Sequence, residues 1–174
     1  ASNTLEFRAH WDLVVKRLGA AARVLGEHGI ALGLEFIGPA TLRSQFKHAF
    51  VHSMDAMLGM AAAIGPNVGL LLDCFHWYTA HGTLDDLRKL TVADVVYVHV
   101  NDARAGRGPD EQIDQERDMV GATGVIDLAG FTGAVRAIGY DGPVTVEPFS
   151  AEVKAMSIAD AVAYTSRSLD KMLA

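Results

Sequence analysis

The sequence lacks three features that would each point to a different class of protein. It has one cysteine in 174 residues, so no internal disulfide can form, and Cys74 lies in an apolar run typical of a buried packing residue in a reducing compartment. The formal net charge is −6, with no basic stripe to bind DNA. No apolar run approaches the roughly 18–20 residues of a membrane span, and no signal peptide precedes the first predicted helix. We therefore expect a soluble, cytoplasmic protein with neither a nucleic-acid nor a membrane partner.

The hydrophobic content is 50%, which is enough for one sizeable core, and we expect residues 1–174 to form a single domain. No internal repeat, low-complexity tract or interdomain linker is evident. The chain begins Ala1-Ser2-Asn3, without an initiator methionine. This suggests that the numbering starts inside a longer gene product or after a tag.

Hydrophobic periodicity predicts strands that alternate with helices. We expect a helix at 4–28 that is capped by Asn3 or Thr4 and ended by Gly29. Loops are expected at 40–50 and 103–123, and the alternation implies a parallel sheet with helices outside it. The remaining helices are predicted at 53–64, 83–90, 127–138 and after Ser157, and the strands at 30–36, 68–73, 95–100 and 143–146.

Each predicted strand ends in a side chain that can bind a metal. The clearest case is 69–77, where the apolar strand ends at Asp73 and a histidine follows three residues later. The other three strands deliver Glu35, His99 and Glu147 in the same position. Because the carboxyl ends of parallel strands meet at one edge, we expect the four side chains to converge.

Three carboxylates and one imidazole suit one divalent ion, and Mn²⁺, Mg²⁺, Co²⁺ and Zn²⁺ all remain open. Taken singly, each residue fits an ordinary structural role as well: a carboxylate after a strand is often a helix cap or an ion pair, and a strand histidine often belongs to the core. The metal hypothesis depends on the repetition of the pattern.

Five stretches of the sequence together match a known family: Leu34-Glu35, 73–77, 98–102, 117–121 with Gly124, and 146–148. This set resembles the xylose isomerase-like TIM barrel family of sugar and sugar-phosphate isomerases and epimerases, to which the endonuclease IV-like proteins are related. The resemblance covers nearly the whole chain and is specific only as a set.

The resemblance implies site roles and a mechanism. Glu35, Asp73, His99 and Glu147 would bind the metal, and His76 and Arg117 would contact a sugar or sugar-phosphate substrate. Glu35 and Glu147 would act as the catalytic pair, one removing a proton beside the carbonyl to form an enediolate and the other returning it.

The resemblance also predicts an incomplete barrel. A (β/α)₈ barrel has about 250 residues, whereas this chain matches the C-terminal half: four βα units behind a leading helix. Four strands leave two open edges. We therefore expect the chain either to associate with a missing N-terminal half or to form a homo-oligomer.

Several alternatives stay open at this point. A metal-dependent sugar or inosose dehydratase would use the same ligands and the same first proton transfer. An endonuclease IV-like phosphodiesterase would need an Asp-x-His pair where this chain reads Gln115-Glu116-Arg117. A catalytically idle half-barrel is a further alternative, and a Rossmann fold fails because 121–124 lacks the GxGxxG spacing.

Some neighbouring residues have two equally good interpretations. His76 can pack the loop after its strand, and Arg117 can be a solvated member of the charge-rich loop 111–118. Asn101 and Asp102 can support the site or form turns. Phe75 and Trp77 can line a sugar site or belong to the core.

Overall fold

The computed structural model describes Ser2 and residues 4–173, and its elements alternate as the sequence predicts. The strands are β1 (Leu32–Leu34), β2 (Val68–Asp73), β3 (Val95–Val100) and β4 (Val144–Val146). The helices are α1 (Phe7–Glu27), α2 (Ala40–Arg43), α3 (Met54–Ile64), α4 (Cys74–Thr79), α5 (Leu84–Arg88), α6 (Leu128–Ala137), α7 (Ala151–Ala155) and α8 (Ile158–Leu173). Short 3₁₀ turns lie at Val92–Asp94, Pro109–Glu111 and Asp114–Glu116.

The four strands form one parallel sheet in the order β1-β2-β3-β4. Asp73 at the end of β2 is in register with His99 of β3, and His99 is in register with Thr145 of β4. All three pairings are parallel, so every strand delivers its carboxyl end to the same edge. Within the described residues the sheet is open, since β1 and β4 each pair on one side only.

The two faces of the sheet differ in what covers them. Alternate residues such as Leu70, Leu72 and Val98 are at most 1% exposed and form the core under the helices. The other face carries Tyr97, which is half-buried, and Thr145, which is exposed. The polar strand ends belong to this second face, as the alternation of side chains along a strand predicts.

Side-chain caps begin three of the predicted helices, whereas Ser53 at the N-cap of α3 makes no side-chain cap. Thr83 and Asp86 form a capping box at α5, and Asp127 accepts a hydrogen bond from Gly130 N at the start of α6. Ser157 accepts one from Asp160 N at the start of α8. Gly29 has φ of 70° directly after the α1 C-cap, the left-handed conformation that glycine adopts most readily.

The predicted start of α1 is wrong by a few residues. The helix begins at Phe7 with Glu6 at the N-cap, because the Ser2 hydroxyl accepts hydrogen bonds from the backbone amides of Thr4 and Leu5 and turns the chain before the helix. Asn3, the other predicted cap, lies outside the described residues.

Other differences concern the ends of elements. The first strand is shorter than the predicted 30–36, because the amide of Ile30 still bonds to Leu25 O at the end of α1. The fourth strand begins at Val144 rather than at residue 143, and α5 ends at Arg88. Short α2, α4 and α7 were not predicted, and α4 matters for the site. No described helix is long and apolar enough to cross a membrane.

Candidate metal centre

The structure brings the four predicted ligands together at the carboxyl edge of the sheet. Asp73 ends β2 and His99 lies one residue before the end of β3, while Glu35 and Glu147 follow β1 and β4 directly. Each offers a ligand atom, and these atoms all lie within 4.8 Å of one another. Residues 112 positions apart in the chain thus share one small volume because parallel strands end side by side.

The imidazole of His99 faces all three carboxylates. Its Nδ1 lies 3.4 Å from Glu147 Oε2 and 3.7 Å from both Glu35 Oε1 and Asp73 Oδ2. The facing Glu35 carboxylate raises the pKa of His99. The carboxylates of Glu147 and Asp73 raise it further, whereas burial of the imidazole opposes the rise.

Two atoms of this cluster lack a partner that a cation would supply. Glu35 Oε1 and His99 Nδ1 are buried, yet neither has a hydrogen-bond partner. Such orphaned groups are costly, and a shared cation satisfies both. Ligands on opposite sides of an ion at 2.0–2.2 Å are about 4.3 Å apart, so only small side-chain adjustments separate this cluster from coordination. The residues present therefore fit a divalent metal.

Arg117 is the buried cation beside this cluster. Its side chain is 2% exposed, and Nη1 donates to Asp73 Oδ2 at 2.9 Å and to Glu147 Oε2 at 2.7 Å. The guanidinium carbon lies 4.9 Å from the ring centre of Phe75 and 4.8 Å from that of Phe149. Burial lowers the pKa of Arg117, but the carboxylates around it more than compensate and raise it.

His76 reaches the site because β2 ends at Asp73. The Asp73 carboxylate caps α4, accepting hydrogen bonds from Phe75 N at 2.6 Å and His76 N at 3.2 Å. The turn brings His76 Nε2 to 3.0 Å from Arg117 Nη2 and 3.9 Å from Glu35 Oε1. Asp73 is thus both the helix cap that its position allows and a member of the cluster.

Gly38 allows the close approach of the loop after β1 to His76. Its amide donates to His76 Nδ1 at 3.2 Å. A Cβ at this position would lie 2.2 Å from His76 O and 2.5 Å from Thr79 Oγ1. No other residue type fits without displacing the backbone that carries His76.

The structure decides between the two interpretations of Asn101 and Asp102. Asn101 Nδ2 donates to Asp73 Oδ2 at 3.2 Å, so this amide supports the cluster directly. The Asp102 carboxylate is fully buried and organises the loop beyond β3. It accepts hydrogen bonds from the backbone amides of Ala103, Thr123, Gly124 and Ile126.

The aromatic residues after Asp73 divide between two roles. Phe75 is buried against the Arg117 guanidinium, whereas Trp77 packs on Phe131 with ring centres 5.4 Å apart and belongs to the core. Cys74 is buried as predicted, and burial, aided by Asp73, raises the pKa of its thiol.

Two residues of the site were not singled out from the sequence. Phe149 packs against the Arg117 guanidinium, and Asp114 Oδ1 accepts from Arg117 Nη2 at 2.8 Å. The spacing of three between Asp114 and Arg117 was the available signal, but in a loop such spacing does not fix which side chains meet.

Comparison with known proteins identifies the family. The model of the family described as xylose isomerase-like TIM barrel matches residues 2–172. The chain belongs to the xylose isomerase-like TIM barrel family. A xylose isomerase domain protein from Alicyclobacillus acidocaldarius is 33% identical, with a TM-score of 0.85 over 94% of this chain and 58% of that one.

Other similar proteins differ more in sequence. An inosose isomerase from Halalkalibacterium halodurans is 29% identical over 90 residues, which are 51% of this chain and 29% of the relative. The structure of an IOLI protein with a bound zinc atom is 21% identical, with a TM-score of 0.79 over 93% of this chain and 55% of that one. At that identity the likeness shows the fold alone. The chain spans little more than half the length of these structural relatives.

Proposed function

We propose that the chain carries the catalytic metal site of a divalent-metal-dependent sugar or sugar-phosphate isomerase or epimerase. The observation that carries this proposal is the convergence of Glu35, Asp73, His99 and Glu147 on one volume, with buried Glu35 Oε1 and His99 Nδ1 unpartnered. A relative described as an inosose isomerase supports the reaction class, and structures described as D-psicose 3-epimerase and L-ribulose 3-epimerase share the fold.

The four cluster residues would hold the ion. Three carboxylates and one imidazole suit Mn²⁺, Mg²⁺, Co²⁺ or Zn²⁺, and the zinc in the related IOLI structure supports a site of this kind. A divalent ion bound there supplies Lewis-acid polarisation of the substrate carbonyl.

Glu35 and Glu147 would transfer the protons. They follow the first and last strands of the sheet, with β2 and β3 between them, so their carboxylates approach a substrate from different sides. One removes the proton from the carbon beside the carbonyl, leaving an enediolate, and the other returns a proton. Return to the opposite face of the same carbon gives epimerisation. Return to the neighbouring carbon, with the hydroxyl proton moving to the former carbonyl oxygen, gives isomerisation.

His76 and Arg117 would bind the substrate's oxygens. Both side chains are at most 2% exposed, and their nitrogens lie beside the cluster. The guanidinium is a fixed donor, and such preorganised donors stabilise negative charge that develops on oxygen without reorganising at the moment of reaction.

A carbon–hydrogen exchange assay tests this function. The protein, loaded in turn with each of the four metals, is incubated in D₂O with a panel of ketoses, their phosphates and cyclitol ketones. Deuterium incorporation beside the carbonyl, detected by NMR, is the expected result. Glu147→Gln should abolish it, and Glu152→Gln on exposed α7 is the matched control. Exchange that survives Glu147→Gln would remove Glu147 from the mechanism. A product that is the substrate less one water molecule would instead identify a dehydratase.

We further propose that additional strands complete the sheet, either from the N-terminal half of a barrel or from a second copy of this chain. The outer edges of β1 and β4 have no strand partner among the described residues, and Thr145 is exposed on the face of the sheet that carries the polar strand ends. Native mass spectrometry should show a dimer or a complex with an N-terminal half. A stable, monodisperse monomer would contradict this.

A further inference from the structure

The loop 103–127 carries Arg117, and what holds Arg117 in position differs from what holds the four cluster residues. The ligands lie on or beside strands, but Arg117 stands in a long connection whose only helical turns are 3₁₀. Its guanidinium must nevertheless be placed accurately, because Nη1 contacts two of the three cluster carboxylates, those of Asp73 and Glu147. Something outside the metal cluster has to hold it.

Asp114 contacts the side of the guanidinium away from Asp73 and Glu147. Its carboxylate accepts from Arg117 Nη2 at 2.8 Å, and its backbone carbonyl accepts from Arg117 Nε at 3.2 Å. The Asp114 side chain is 13% exposed and is not a member of the metal cluster. Because the guanidinium is planar and rigid, holding Nε and Nη2 determines the direction of Nη1.

The rest of the loop holds this pair in place. Arg117 is followed by Asp118, which exchanges both backbone hydrogen bonds with Asp102 at 2.9 Å. The rings of Phe75 and Phe149 pack against the guanidinium, with its carbon 4.9 and 4.8 Å from their centres. These rings do not prevent the guanidinium from rotating within its own plane. Among the described contacts of Nη2, the Asp114 carboxylate is the one that carries a formal negative charge and opposes this rotation.

From these contacts we propose that Asp114 is the positioning residue of Arg117: its carboxylate sets the orientation in which the guanidinium donates to Asp73 and Glu147 and faces the substrate. Asp114 acts through Arg117 and transfers no proton. For catalysis the proposal rests on the proposed function, but for the orientation of Arg117 it does not.

The first test follows the guanidinium directly. NMR of the metal-free protein measures rotation about the Nε–Cζ bond of Arg117 through exchange between its Nη signals. Loss of one charge-assisted hydrogen bond should speed this rotation about tenfold or more in Asp114→Ala, and less in Asp114→Asn, which keeps a carbonyl acceptor. Asp110→Asn is the matched control, since Asp110 lies in the same loop, is 62% exposed and pairs with exposed His81. Unchanged rotation in Asp114→Ala would overturn the proposal.

The second test asks whether Asp114 works through Arg117. In the exchange assay kcat/KM should fall about tenfold in Asp114→Asn and about a hundredfold in Asp114→Ala, with the metal stoichiometry unchanged. In an Arg117→Met background neither change should cause a further loss. The same additional loss in that background would refute the proposal, as would unfolding of both Asp114 variants when Arg117→Met remains folded.

The two tests separate the two proposals. If no sugar is turned over but rotation of the Arg117 guanidinium responds to Asp114, the function proposed above fails and the positioning role stands. If exchange occurs but does not depend on Asp114, the positioning role fails alone.

Discussion

Replacing Asp73 tests the metal centre most sharply, because this carboxylate has two separable roles. It is fully buried, caps α4 through Oδ1, and receives Arg117 Nη1 at 2.9 Å on Oδ2, beside His99. Asp73→Ala removes both roles. Asp73→Asn keeps a good cap but places an amide or a neutral oxygen where the cluster needs a charged one.

The expected loss of stability follows from these contacts. An N-cap contributes about 1 kcal/mol. A charge-assisted hydrogen bond contributes about 1.5–3 kcal/mol, and Arg117 keeps Asp114 and Glu147 as partners, so it is not left uncompensated. Asp73→Ala should therefore lower the free energy of unfolding of the metal-free protein by about 2.5–4 kcal/mol, and Asp73→Asn by about 2 kcal/mol.

Two assays separate the cap from the metal ligand. Urea denaturation measures stability, and calorimetric titration with Zn²⁺ or Mn²⁺ measures metal affinity, which should fall at least a hundredfold in both Asp73 variants. Asp127 caps α6 from an exposed position, so Asp127→Ala and Asp127→Asn are matched controls that change a cap alone. An unchanged metal-to-protein ratio in Asp73→Asn would refute the ligand assignment.

Three further predictions use other parts of the site. Metal at a hundred times its dissociation constant should stabilise the protein by about 2.7 kcal/mol, and EDTA should reverse the shift in melting temperature; no shift with any of the four metals would count against the site. Because the pKa of His99 is raised above 6.5, its contribution to the stability of the metal-free protein is fully present below that value and is lost as the pH rises through the folded pKa. Metal affinity should rise with pH over the same window, because only the neutral imidazole binds a metal. If the difference in stability between the unsubstituted protein and His99→Gln does not change with pH, this prediction is contradicted. Gly38→Ala should lower the free energy of unfolding by more than about 2 kcal/mol, because its Cβ would clash with His76 O. Gly133→Ala, in an open helical position, should leave the free energy of unfolding unchanged or raise it by about 0.5–1 kcal/mol. Equal effects of the two substitutions in urea denaturation would refute the packing argument.

The fold and the convergence of the four predicted ligands were largely predictable because both depend on local patterns repeated at each strand. Each of Glu35, Asp73, His99 and Glu147 stands at the end of an apolar strand, and parallel topology alone then brings these ends to one edge. The helix signals at Thr83 and Asp127 were equally local, and both were confirmed.

The position of His76 was less predictable, because it depends on where β2 stops. An odd spacing from Asp73 puts a strand residue on the wrong face, but the Asp73 cap starts α4 and rotates His76 toward the cluster. Sequence periodicity does not show this, because the apolar run continues through both elements.

The sequence by itself determined the alternation of strands and helices and the residues that end each strand, because burial and capping act over a few neighbouring positions. Only the tertiary structure decided how the loops meet over the site: Gly38 against His76, and Asp114 and Phe149 around Arg117. These contacts join segments with no common period. Their partners are chosen by the packing of the whole edge of the sheet rather than by spacing along the chain.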